Sequence, residues 1–283
     1  FQINKVKYRI RSVSVGQTMA SLNTKILNSF SVKYPTLPEQ QKIATFLSSV
    51  DAKLQQLSKK KSLLADYKKG VMQKIFSQEL RFKDANGNKY PDWEEKKLGE
   101  VFSEIKDKVG KQKIETYSIS AGIGFISQKE KFGKDISGNQ NEKYIVLQPN
   151  EFSYNKGNSK KYKYGCVYLN RTGGQIAVPN VFISFKVIDD SMNQVFYEKL
   201  FEFHYLDKGL RRIISSSARM DGLLNINKKY FFELKICVPC SQEQQKIATF
   251  LSALDTKIEK VNTQINNTQA FKKGLLQQMF VAA

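Results

Sequence analysis

The ten residues EQQKIATFLS stand at 39–48 and return letter for letter at 243–252, so the chain must fold around two equivalent elements 204 residues apart. At the same offset Asp51 corresponds to Asp255, Lys53 to Lys257, and Lys68-Lys69-Gly70 to Lys272-Lys273-Gly274, and both copies run on through Gln to a Phe. Upstream, Pro35 matches Pro239 and Asn23 matches Asn227. Residues 11–76 thus correspond roughly to residues 215–280, and the unit is a variable body with a repeated tail. Because Phe1 aligns near Tyr205, the first body is expected to be represented by its last part alone.

The tail reads as a long helix. In the first copy Ile43, Leu47, Val50, Leu54, Leu57, Leu64, Val71 and Ile75 are separated by three, four or seven residues. In the second, Ile247, Leu251, Leu254, Ile258, Val261, Ile265, Leu275 and Met279 keep the same frame, which Thr268 and Lys272 interrupt. Such a seam needs a partner along one face. Pro38 and Pro239, each close before a Glu, mark the starts. Forty helical residues span roughly 60 Å. Two ordinary amphipathic core helices would show a similar pattern, but a sustained 3.5-residue period favours an extended strut and a coiled coil.

Between the first tail and the second body, residues 83–92 carry Asp, Asn, Gly and Pro at turn spacing, the mark of a linker. The second body holds short aromatic and β-branched runs at 166–169 and 181–187 and a helical stretch at 194–206. The expected organisation is a tail of a first body at 1–38, a helix at 39–80, a linker at 81–92, a second body at 93–238 and a second helix at 239–283. The class is α+β: a mixed α/β body with two long helices forming an antiparallel coiled coil.

Forty-six Lys and Arg against 26 Asp and Glu leave a formal charge of +20, which favours a polyanionic partner, nucleic acid first. No apolar run approaches the roughly 18 residues a membrane span needs, and no signal-peptide pattern is present, so a cytoplasmic protein with no membrane partner is expected. Three cysteines, Cys166, Cys237 and Cys240, are an odd number and argue for reduced thiols.

The paired P-x-x-x-EQQKIATFLS-x-x-D motifs, the KKG-x-x-Q ends and the phrase ELRFKDANGNKYPDWEEKKLGEVF at 79–102 resemble the Methylase_S family, the specificity subunits of type I restriction-modification systems. The resemblance covers essentially the whole chain, except that the first target-recognition domain is present only as its C-terminal tail. It implies antiparallel long helices and recognition domains that read the two halves of a bipartite site in double-stranded DNA. It also implies partners: methyltransferase subunits docked on the helices, and motor-nuclease subunits for cleavage. S-adenosylmethionine, ATP and Mg would then belong to those partners, with no cofactor in this chain, which is not itself an enzyme. The long helices also offer a route to self-association. A specificity region from a fused restriction-modification enzyme, its catalytic part elsewhere, is the alternative; a coiled-coil protein that binds DNA without sequence preference is another.

Residues 152–188 contain no Asp or Glu and interleave Lys156, Lys160, Lys161, Lys163, Arg171 and Lys186 with Tyr154, Tyr162, Tyr164 and Tyr168. Phosphates call for cations, and base edges call for donors and acceptors in fixed geometry. The DNA-facing set is therefore Tyr154, Asn155, Lys156, Asn158, Ser159, Lys160, Lys161, Tyr162, Lys163, Arg171 and Thr172. Arg211, Arg212 and Arg219, among small polar residues, form a second cluster. A solvated basic face is the plainer explanation of both.

Other chemistries find little support. His204 is the sole histidine and reads as partly buried and structural. The Cys237-x-x-Cys240 pair invites zinc, but its counterparts in the first copy are Lys33 and Thr36, so no metal is expected. Pro91-Asp92 with Glu94 and Lys96 is too compressed to place nuclease ligands on separate strands. No phosphate-binding G-x-x-x-x-G-K-[ST] loop and no Asn-Pro-Pro-Tyr or Asp-Pro-Pro-Tyr methyltransferase element occurs.

Overall fold

A computed structural model of the chain describes residues 24–28, 34–134, 136–157, 162–214 and 223–281. In chain order the elements are α1 (Thr24–Asn28), α2 (Leu37–Phe76), β1 (Glu94–Lys97), α3 (Leu98–Val101), β2 (Phe102–Glu104), β3 (Tyr117–Ser120), β4 (Gly124–Ser127) and α4 (Gln128–Phe132). A 3-10 turn at Gly138–Lys143 leads to β5 (Ile145–Leu147), β6 (Phe152–Asn155), β7 (Cys166–Leu169), β8 (Ile176–Val178) and β9 (Ile183–Val187). Then come α5 (Gln194–Glu202), α6 (Asp207–Ile213), α7 (Lys228–Phe232), β10 (Lys235–Val238) and α8 (Ser241–Val281). The chain divides into two compact units, Phe1–Tyr67 with Asp255–Ala283, and Lys68–Leu254.

The first unit is built on most of α2 and the later part of α8. Val50, Leu57 and Val261 are buried there, and Ile43, Leu47, Leu54, Leu64, Ile258 and Ile265 are half-buried at the same three-and-four spacing. Two polar contacts set the direction: Lys272 pairs with Asp51, and Lys61 Nζ donates to Asn262 Oδ1 at 2.6 Å. Advancing ten residues from Asp51 to Lys61 retreats ten from Lys272 to Asn262, so the helices run antiparallel in register. Lys61 falls four residues after Leu57 and three before Leu64, in the seam itself. Its aliphatic stem continues the apolar stripe while the ammonium reaches Asn262.

In the second unit, β2-β9-β6-β7 form a four-stranded antiparallel sheet. The inner strand β6 pairs Phe152 with Leu169 on one side and with Phe185 on the other. Phe102, Phe152, Phe185 and Phe201 meet over this sheet with ring centroids 5.1–5.9 Å apart, mostly edge to face, a geometry that suits aromatic quadrupoles. The hairpin β3-β4 and the pair β5-β8 enclose a smaller cluster around Ile119, Leu147, Ile176 and Val178.

The unit boundaries differ from those the sequence suggested. Val71, Met72, Ile75 and Phe76 at the end of α2, and Ile247, Ala248, Leu251 and Leu254 at the start of α8, belong to the core of the second unit. At these ends apolar residues occupy adjacent positions rather than one stripe, so a two-helix seam would leave them wet and a globular core buries them. The helical stretch expected at 194–206 stops at Glu202; His204 takes φ 60, and a separate helix restarts at Asp207.

Candidate nucleic-acid interface

Gly157 pairs with Leu223 in an antiparallel bridge, and the amide of Leu224 donates to the carbonyl of Lys156 at 2.9 Å. Lys156-Gly157 and Leu223-Leu224, far apart in sequence, therefore meet at one place on the second unit. Gly165, ahead of β7, is held tightly against β6. Its φ is +78, and a Cβ there would lie 2.4 Å from the Asn155 carbonyl oxygen, so only glycine fits.

A second link joins the two basic clusters. Tyr162 packs at a tilt against His204 with centroids 4.6 Å apart, and His204 Nδ1 lies 3.4 Å from the Asp207 carboxylate, which opens α6. The last turn of α6 carries Arg211 and Arg212, both exposed. Lys163 is exposed with its ammonium 5.9 Å from the Tyr164 ring, and Lys156 is half-buried beside Gly157. The segment of Tyr162 and Lys163 is thus tied through His204 and Asp207 to the helix that carries Arg211 and Arg212.

Several residues expected to face DNA are otherwise engaged. Tyr154 is a core residue, 1% exposed, stacked on Phe231 at 5.0 Å and donating its hydroxyl to the Tyr164 carbonyl at 2.7 Å. It leaves the DNA-facing set because β6 is an inner strand with both faces covered. Burial also pushes its phenol far above the ordinary tyrosine range. Arg171 points both forks at Glu198, Nε to Oε1 at 2.9 Å and Nη2 to Oε2 at 2.6 Å, which fits an intramolecular clamp better than a base reader.

Asn155 accepts from the Gly157 amide at 2.8 Å and donates to the Ile119 carbonyl at 3.3 Å, so it shapes the local backbone rather than reaching outward. Thr172 is exposed, its hydroxyl 2.8 Å from Asn170 Oδ1 within a local turn. Asn158, Ser159, Lys160, Lys161 and Arg219 lie outside the described residues.

Among the described residues no group of three or more His, Cys, Asp or Glu side chains is placed to hold a metal ion. Cys166 is buried on β7, and that burial pushes its thiol up to about 11. No helix among the described residues is long and apolar enough to cross a membrane.

One arrangement was missed in the sequence. Glu243, fully buried, accepts from Arg81 Nε and Nη2, both at 2.8 Å, and from the Trp93 indole at 3.0 Å. The hydrogen bond to Glu243 holds the Arg81 guanidinium still further above its ordinary value. The available signal was a carboxylate repeated inside an apolar, helix-starting motif; its Arg81 and Trp93 partners, 162 and 150 residues away, left no local trace.

Residues 1–65 and 90–268 match the family described as type I restriction modification DNA specificity domain. The type I restriction enzyme MjaVIII specificity subunit of Methanocaldococcus jannaschii is 32% identical over 212 residues, 72% of this chain and 46% of that protein. The putative type I restriction enzyme MjaX specificity subunit of the same organism is 25% identical over 287 residues, 97% of this chain and 63% of that protein. The chain thus spans about half the length of the first relative and under two thirds of the second.

In fold, it is similar to a type I restriction-modification S subunit from M. genitalium, with a TM-score of 0.53 and 18% identity over 97% of this chain and 69% of that one. A structure from work on complex assembly and conformational transition of the type I R-M system gives a TM-score of 0.50 at 15% identity, covering 98% of this chain and 67% of that one.

Proposed function

The chain belongs to the type I restriction modification DNA specificity domain family, and from that premise we propose that it reads one half of a bipartite sequence in double-stranded DNA. The observation that carries this reading is the Tyr162–His204 ring contact, which ties the segment bearing exposed Lys163 to the one bearing exposed Arg211 and Arg212. Lysines there would neutralise phosphates and set the register, while arginine and amide side chains would read base edges in the major groove. The net charge of +20 would speed the approach to DNA and make binding fall with salt.

The chain itself would be non-catalytic and act in the cytoplasm. Its paired helices would carry methyltransferase subunits, with motor-nuclease subunits joining for cleavage, so that S-adenosylmethionine, ATP and Mg are used on those partners. His204, held between Tyr162 and Asp207, supports a structural rather than a catalytic part for the one imidazole.

The test is binding selection from randomised duplex DNA, with the chain alone and with its methyltransferase subunit. Enrichment of one short word, tightened by the partner and weakened by Arg211→Ala with Arg212→Ala, is the expected result. A pool that stays random at every salt concentration would leave only charge-driven binding and overturn the reading.

A further inference from the structure

The two copies of EQQKIATF are chemically identical but differently covered. In the second copy, Glu243 is sealed under Arg81 and Trp93, Phe250 meets Phe82 edge-on at 5.6 Å, and Lys246 Nζ donates to the Lys83 carbonyl at 2.6 Å. All four covering residues come from one stretch, 79–93, which straps the start of the helix. In the first copy the counterparts Glu39 and Lys42 are exposed, and Phe46 is 42% exposed. The local conformation is nonetheless the same in both. Gln40 Nε2 donates to the Pro35 carbonyl at 2.7 Å as Gln244 Nε2 does to the Pro239 carbonyl at 2.9 Å, and the Gln40 and Gln244 amides close the same turn onto Thr36 and Cys240.

We infer that the surface from Glu39 to Phe46 is a dock for a peptide segment with the chemistry of residues 79–93: an arginine followed directly by a phenylalanine, with an indole twelve residues after the arginine. The arginine fork and the indole N–H converge on the Glu39 carboxylate, the phenylalanine packs on Phe46, and a backbone carbonyl takes the Lys42 ammonium. The shared helix-start geometry leaves this surface pre-formed, so docking orders the incoming segment and little else. The inference is independent of the DNA-reading role.

The experiment uses the full chain and a fluorescent peptide of sequence ELRFKDANGNKYPDW, read by anisotropy and by hydrogen exchange. Saturable one-to-one binding is expected, with new protection at 39–46 and none at 243–250. Glu39 is exposed, so Glu39→Gln leaves the fold intact, and it should weaken the peptide by about tenfold, as loss of a charge-assisted pair does. A peptide with its arginine changed to alanine should lose binding in the same way. Absence of saturable binding up to millimolar peptide, or equal affinity for the Glu39→Gln chain, overturns the inference. If the chain instead self-associates with concentration, and Glu39→Gln abolishes that association while free peptide does not bind, the occupant is a second copy and the segment assignment falls.

Discussion

Arg171 and Glu198 form a two-pronged ion pair between the turn after β7 and α5, and this pair changes what Arg171 can be expected to do. With the Arg171 side chain about half exposed, solvent screens the pair, and Arg171→Ala should cost no more than about 1 kcal/mol. Binding selection with the variant should return the same bases as the parent. A changed base at one position would restore Arg171 as a reader.

Arg211→Ala and Arg212→Ala should behave differently. If both arginines meet phosphates, each substitution should lower the slope of log affinity against log salt by about 0.9 without altering the selected word. If one is bidentate to a guanine, its loss should instead relax a single position by about 1–3 kcal/mol. Titrations at several salt concentrations, on specific and random duplexes, separate the two roles.

Arg81→Ala removes the cation from a carboxylate that has no access to solvent. Stranding a buried charge costs about 3–5 kcal/mol, so the second unit should unfold at distinctly lower urea. Trp93, the chain's one tryptophan, sits on the same carboxylate and reports the loss through its fluorescence. An unchanged urea midpoint would mean that Glu243 finds another partner.

Leu57→Ala opens a gap at a buried seam position of the first unit and should cost about 2–4 kcal/mol, whereas Leu63→Ala on the exposed face should fall within about 0.5 kcal/mol. Circular dichroism during urea unfolding checks both. Equal effects would deny that the seam holds the two helices.

Cys166 should be the slowest of the three thiols to alkylate. The thiolate is the reactive form, and a group pushed up to about 11 holds little of it at pH 8, besides being buried. Peptide mapping after timed iodoacetamide treatment checks the order. Rapid labelling of Cys166 in the native protein would show that β7 opens.

The long helices and the strand at 166–169 were legible because period and β-branching act locally. What misled was Tyr154. An aromatic in an acid-free strand has the same sequence whether it faces DNA or a core. Only the packing of the ring on Phe231, which leaves it 1% exposed, shows that this face of the strand is covered. Lys61 was illegible for the opposite reason. A lysine breaks an apolar stripe on paper, while in three dimensions its stem fills the stripe and its head finds Asn262. The convergence of the two basic segments rests on the Gly157–Leu223 bridge and the Tyr162–His204 ring contact, long-range contacts that no local pattern records.

Because the ends of both long helices lie inside the core of the second unit, that unit is not a bead that can be snipped off at its linkers. A graft cut before Trp93 and after Val238 would leave behind Val71, Met72, Ile75 and Phe76 on one side and Ile247, Ala248, Leu251 and Leu254 on the other. An engineer wishing to transplant this unit onto another scaffold has to splice within the helices, near 67 and 255, where heptad frames can be matched and the donor keeps its own floor.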